Sequence, residues 1–205
     1  RMNPVEYASY DALGLADLVR RKQVTPSELL DAALTRAEAA QARLNCFSSI
    51  LPGHARKQID AGLGDGPFAG VPFALKDLGA ALKGAPLTSG SLAYKDYVAD
   101  YDAVLTERYK AAGLVIFGQT TTPEFGGTTT TESTLFGATR NPWNLQATVG
   151  GSSGGAGASL SAGLATLATG SDMGGSIRIP SSLNGLYGFK PPHGRVPLSP
   201  GGEIM

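Results

Sequence analysis

A single cysteine, Cys46, and two histidines, His54 and His193, are all that 205 residues hold of those types. One cysteine excludes an internal disulfide and any cysteine-cluster metal site, and it suits a reducing compartment. With one cysteine and two histidines, zinc is not expected. Charge of one sign is also lacking: 17 Lys+Arg balance 17 Asp+Glu with no basic run, so the electrostatic footprint of a nucleic-acid binder is missing. No apolar run approaches the roughly 20 residues that span a bilayer, and the opening RMNPVEYASYDALG has no apolar signal-peptide core. These absences point to a cytoplasmic protein with a small neutral partner and no membrane contact.

What the chain has in quantity is glycine, 28 residues of it, and turns and helices alternate around short apolar runs. Asp11 to Lys22 has helical spacing of Leu13, Leu15, Leu18 and Val19. Thr25, Pro26 and Glu28 make a capping-box start for a helix running to about Ala42. Asn45 to Leu51 reads as a strand and His54 to Leu63 as a polar helix. Val71 to Leu75 is a buried strand that ends abruptly at Lys76 and Asp77. Asp102 is placed to cap a helix ending at Gly113, followed by a strand from Leu114 to Gly118, an α/β rhythm. The Thr-, Gly- and Asn-rich stretch from Thr120 to Leu145 reads as ordered loop around a short helical piece near Glu124. Beyond it come a small-residue helix from Ala156 to Ala162, a strand from Leu164 to Thr169, a helix from Ser176 to Asn184 with Pro180 early in it, a strand from Leu186 to Phe189, and loop to Met205. No internal repeat or domain boundary appears, so residues 1–205 read as a single domain.

Two Gly/Ser clusters, GGSSGG from Gly150 and GSDMGGS from Gly170, carry the chemistry. Glycine admits backbone angles that other residues avoid and lets groups approach the main chain closely. A flexible linker is the plain alternative, but the clusters flank an apolar run and are followed by Ile177, Ile179, Leu183 and Leu186. The dinucleotide fingerprint lacks its third glycine in GAGASL, and no glycine cluster precedes the Lys-Ser/Thr of a phosphate loop. Gly150 to Gly154 matches GxSxG, yet that hydrolase needs a histidine base. His54 lies in the wrong chain order, and His193 sits in a Pro-rich loop. A serine can instead be activated by a neutral lysine whose pKa burial depresses. Lys76 is the natural candidate, although most strand-end lysines are solvated. Ser152 and Ser176 sit at the two glycine turns, 24 residues apart, on either side of a helix-strand unit that can return the second turn to the first. The N–H groups of Met173, Gly174, Gly175 and Ser176 lead into a helix N-terminus and can converge on a developing oxyanion.

These residues resemble the amidase signature enzymes, in which GGSSGG, a small-residue helix, G(S/T)DxGGSIRxP and GxxGxKPxxGR follow in order, all of them present from Gly150 to Arg195. TPSELLDAALTRAEA, GPFAGVPFALKDL, AAGLVIFGQTTTPEF and ATRNPWNL match as well, so the resemblance covers essentially the whole chain. Val149, Ala156 and Pro192 depart from the usual pattern, none of them at a catalytic position. The resemblance implies Lys76 as base, Ser152 after a cis peptide bond as bridging proton relay, and Ser176 as nucleophile. Ser153 and Thr169 are expected to hydrogen-bond the turn. Asp172 is expected to pair with Arg178 to hold the oxyanion loop, though an ordinary structural ion pair would look the same.

The implied fold is α/β, a mixed β-sheet core flanked by helices on both faces after an N-terminal helical segment. Family members continue well beyond the Gly-Arg-Val element, so the chain is expected to be an N-terminal portion of that fold. The implied function is hydrolysis of a small or linear carboxamide through a Ser176 acyl-enzyme that uses no metal or organic cofactor, with the amide as partner and a homodimer allowed. Two alternatives stand beside it. One is the amidotransferase A subunit that serves tRNA-dependent transamidation, against which Ile179 replaces the Gln usual there. The other is a catalytically silent binding module, against which Lys76, Ser152 and Ser176 are intact.

Overall fold

A computed structural model describes residues 2–197 of the chain. The N-terminal helices follow from their caps. A short α1, Pro4–Tyr7, starts where the Asn3 side chain accepts the Val5 N–H. In α2, Ala12–Arg20, the Asp11 carboxylate accepts the Gly14 N–H and Leu15 and Ala16 are buried. The long α3, Pro26–Leu44, begins with the expected capping box: Thr25 Oγ1 accepts Glu28 N–H at 3.2 Å and Glu28 Oε2 accepts Thr25 N–H at 2.8 Å. Each such cap satisfies amides that the helix itself leaves open.

The central sheet forms next. It comprises β1, Phe47–Ile50, then after α4, Pro52–Asp60, the strand β2, Pro72–Lys76, and after α5, Val104–Ala111, the strand β3, Val115–Thr120. Two small hairpins follow, β4, Glu132–Ser133, with β5, Gly137–Ala138, and β6, Arg140–Asn141, with β7, Asn144–Thr148. The last elements are α6, Gly154–Ser161, the two-residue strand β8, Leu167–Ala168, and α7, Arg178–Asn184. Sheet order is β1-β3-β2-β8, with β1 antiparallel to β3 and β2 parallel to both neighbours. This is the expected mixed α/β sheet, with α3, α4 and α6 packed on it. Both β2 and β3 are buried along their whole length, which explains their unbroken apolar runs.

Arg36 ties three elements together. From the middle of α3 it donates to the carbonyls of Pro4, Ala162 and Gly163 at 3.0, 3.0 and 2.7 Å, and so satisfies the C-terminal end of α6. At its other end α6 approaches the sheet without side chains between. A Cβ on Gly155 would lie 2.4 Å from Thr121 N and 2.6 Å from Cys46 O, so only glycine allows this contact.

Several local expectations are corrected. Asp102 does not cap α5, whose cap position is Ala103. Its carboxylate instead accepts the Lys83 N–H and pairs with Lys110 at 2.5 Å, a tertiary partnership that outcompetes the local cap. The segment from Leu186 to Phe189 is not a strand: Leu186 N–H closes the end of α7 on Ser181 O, no sheet edge adjoins the rest, and Tyr187 and Phe189 are exposed. The strand expected from Leu164 shrinks to β8. The α7 helix starts at Arg178, with Pro180 in its first turn where no N–H is needed. The loop reading beyond Pro197 lies outside the described residues. No helix among the described residues is long and apolar enough to cross a membrane.

The Gly155 contact gives a test. Gly155→Ala is expected to destabilise the protein by about 3 kcal/mol or more, because the obstructing atoms are Thr121 N and Cys46 O of the backbone together with the Thr121 hydroxyl. Gly53→Ala, in α4 with nothing within 4 Å of the new methyl, is expected to be neutral or to stabilise by up to about 1 kcal/mol. Urea unfolding of the two variants measures the difference.

Candidate active site

Strand β2 carries Lys76 to its C-terminal end, where the side chain is 1% exposed. Its Nζ donates to Ser152 Oγ at 2.7 Å and to Ser171 Oγ at 2.9 Å. Its backbone N–H donates to Thr169 Oγ1 at 2.7 Å, which locks the strand end to the turn after β8. Burial pushes the amine down from 10.5 to about 7, against a smaller upward pull from the Asp172 carboxylate. Near neutral pH the amine is poised to lose its proton.

Ser152 follows a cis peptide bond from Gly151 and is itself buried. The Thr131 hydroxyl holds this turn, donating to Gly150 O at 2.8 Å and accepting Gly154 N–H at 3.1 Å. The second turn returns to the first as its position after the helix-strand unit suggested. Ser153 N–H donates to Ser176 O at 3.1 Å, and Ser171 N–H reaches Ser153 Oγ at 3.3 Å. Ser153 and Thr169 each hydrogen-bond to residues of these turns and of the end of β2.

Ser176 is half-buried, and its hydroxyl has no hydrogen-bond partner among the described residues. Lys76 and Ser152 are thus directly joined, whereas Ser176 is joined to this pair only through the backbone contact with Ser153. The loop before it is built on Asp172. That carboxylate accepts the N–H groups of Gly175, Ile177 and Arg178 at 2.8, 3.1 and 3.3 Å, and the guanidinium of Arg178 at 2.9 and 3.0 Å. The Arg178 hydrogen bonds, with the amides, hold its carboxyl well below the usual carboxylate range. The Asp172 side chain is fully covered, while that of Arg178 is 58% exposed.

The four loop amides expected to face an oxyanion differ in their partners. Gly175 N–H already donates to Asp172, so Met173, Gly174 and Ser176 are the amides of that loop left without a partner among the described residues. Ser171, as a partner of Lys76, is absent from the sequence reading. Its signal was available as the hydroxyl residue opening SDMGGS, but only the folded return of that turn puts it beside the amine. A separate cavity of about 830 Å³ lies behind the turn, lined by Thr169, Gly170, Ile177 and Tyr109 but by none of Lys76, Ser152 and Ser176. Among the described residues no group of three His, Cys, Asp or Glu is placed to hold a metal ion.

Comparison with known proteins fits this geometry to a family. The Amidase family profile matches residues 28–204. The chain belongs to this amidase family. The 6-aminohexanoate-cyclic-dimer hydrolase of Paenarthrobacter ureafaciens is 45% identical over 193 residues, 93% of this chain and 38% of that protein. The lipoamidase of Enterococcus faecalis is 43% identical over 192 residues, 93% of this chain and 26% of the relative. Among solved structures, a bacterial aryl acylamidase of the amidase signature enzymes superposes with a TM-score of 0.87 at 38% identity, over 92% of this chain and 41% of its own. The chain therefore spans less than half the length of the amidases it matches.

The unequal exposure of the Asp172 pair separates its two partners. Asp172→Ala leaves three backbone N–H groups without an acceptor and is expected to cost about 1–3 kcal/mol. Arg178→Ala is expected to cost less, since its guanidinium is largely solvated. Unfolding at neutral pH compares the two. A depressed carboxyl stabilises above its unfolded pKa and loses that contribution as pH falls through the folded one, so the gap between wild type and Asp172→Ala narrows below about pH 4.

Proposed function

We propose that the protein hydrolyses a carboxamide to a carboxylic acid and ammonia or an amine. The observation that carries this reading is the buried contact of 2.7 Å between Lys76 Nζ and Ser152 Oγ, with the amine near neutrality at about pH 7. Neutral Lys76 takes the proton of Ser152, Ser152 takes that of Ser176, and Ser176 Oγ attacks the amide carbonyl. The N–H groups of Met173, Gly174 and Ser176 receive the oxyanion. As the C–N bond breaks, Ser152 returns a proton to the departing nitrogen. Water then cleaves the Ser176 ester, releases the acid and restores all three groups. The Ser152–Ser176 link closes when substrate fills the site, since catalytic hydrogen bonds are often long without it.

Lipoamidase and aryl acylamidase are amide-cleaving names, and a cyclic dimer of 6-aminohexanoate is closed by amide bonds. They support a linear or cyclic amide of modest size as the substrate class. A silent binding module would have no use for a desolvated amine between two hydroxyls, which costs stability.

The mechanism predicts an acid limb. Because Lys76 must be neutral, kcat/KM for amide hydrolysis is expected to rise with pH through about 7, close to tenfold per unit below that value. A profile flat from pH 5 to 9 rejects Lys76 as the base. Mass spectrometry after a sulfonyl fluoride is expected to show one adduct on Ser176, absent in Ser176→Ala, and labelling elsewhere rejects the nucleophile. Ammonia release across aliphatic, aromatic and amino-acid amides defines the substrate, and turnover of glutamine alone with a partner subunit would assign the chain to the amidotransferase.

A further inference from the structure

Asp77, next to Lys76 on the sequence, is the other buried ionisable group at the end of β2, 1% exposed. Alternation along the strand sends its side chain to the opposite side from the amine. There its carboxylate accepts Thr88 N–H at 2.8 Å and Thr88 Oγ1–H at 2.5 Å. The Thr88 hydroxyl in turn accepts Gly90 N–H at 3.1 Å, and Ser91 N–H donates to Thr88 O at 2.9 Å. One carboxylate thus sets the turn from Thr88 to Ser91.

That turn holds a second one. Ser89 O accepts Phe125 N–H at 2.8 Å, and Ser91 Oγ–H donates to Glu124 Oε1 at 2.6 Å. Gly90 lies so near that a Cβ on it would sit 2.5 Å from Thr122 O, so the two turns touch backbone to backbone. Ser89 and Phe125, both non-glycine, adopt left-handed φ values of 52° and 50°. Such angles persist only where surrounding contacts impose them, and they gather at functional sites. The second turn then meets the serine. A Cβ on Gly126 would be 3.1 Å from Ser152 Oγ and 2.9 Å from Leu78 Cδ2. Gly126 therefore lies beside the Ser152 hydroxyl, with too little room between them for even a methyl group.

We infer that Asp77 is a positioning residue for amide hydrolysis: through Thr88, Ser89 and Phe125 it presses the Gly126 backbone against Ser152 and keeps that hydroxyl on the Lys76 amine. The inference rests on the hydrolase reading above. The end of β2 serves the site twice, with Lys76 for the proton and with Asp77, the residue just after the strand, for the contact that aims the hydroxyl. The fault made by losing Asp77 is a misplaced hydroxyl and not a lost binding contact, so it falls on kcat and spares KM.

The test uses the full-length enzyme with Asp77→Ala, Asp77→Asn and Gly126→Ala. Asp77→Ala is expected to lower kcat by about 10²-fold with little change in KM. Amide exchange at Phe125, whose N–H depends on the Ser89 carbonyl, is expected to accelerate by about tenfold. Asp77→Asn keeps an acceptor for Thr88 N–H and should retain more kcat than the alanine variant. Gly126→Ala moves Ser152 directly and should reproduce the kcat loss with Asp77 intact. Wild-type kcat in Asp77→Ala, or a loss confined to KM, overturns the inference. If the alanine variant does not fold, wild-type kcat in Asp77→Asn together with wild-type kcat in Gly126→Ala overturns it. If the wild-type enzyme cleaves no amide, the hydrolase reading falls first, and unchanged exchange at Phe125 then removes the Asp77 tether as well.

Discussion

An amine without water around it is the constraint on which the rest of this structure depends. Lys76 is buried at the end of a strand that is itself buried on both faces, and burying its charged form would be costly. The fold resolves this by letting the amine approach neutrality and by giving its protons two hydroxyl acceptors, Ser152 and Ser171. Each acceptor lies in a different glycine-rich turn. The amine therefore needs both turns at once, and the elements between them, α6 and β8, have to be short and closely packed for the turns to meet.

That closeness explains the composition. α6 presents Gly154, Gly155, Ala156, Gly157 and Ala158 to the interior, all buried. A larger side chain at Gly155 would collide with the end of β3 and with Cys46, and one at Gly154 with Thr131. Arg36 satisfies the far end of the same helix from α3, so its position is fixed at both ends. Small residues in this helix are a condition of the Lys76 geometry and not a sign of flexibility.

Features that depend on neighbours in sequence were legible before the structure. The capping box at Thr25 and Glu28, the buried runs of β2 and β3, and the glycine turns all declare themselves within a few residues. Features that depend on chain return were legible only in part: the meeting of the two glycine turns was expected, but most of the partners it brings together were not. Asp102 has the form of a helix cap, yet Lys110 within the helix is a better electrostatic partner than the helix start. Ser171 is one serine among several until the turn folds back beside Lys76. The hairpins from Glu132 to Thr148 are two to five residues per strand, too short for alternation to register. The segment at Leu186 to Phe189 has apolar residues in the strand manner but meets no sheet edge, and pattern alone carries no information about whether a partner exists.

Asp172 shows how the site balances two demands with one group. Its carboxylate gathers Gly175, Ile177 and Arg178 into a rigid loop and so aims the remaining amides of Met173, Gly174 and Ser176. The same charge pulls the Lys76 pKa upward, against the burial that pushes it down. A carboxylate closer to the amine, or one without its cationic partner, would pull that pKa further up. Arg178, half in solvent, offsets part of that negative charge while leaving the carboxylate free to hold the amides. An ion pair that adds little to stability as a surface contact thus acquires a purpose through the buried amine behind it: it lets one loop be tied down by a carboxylate while part of that negative charge is offset beside the amine.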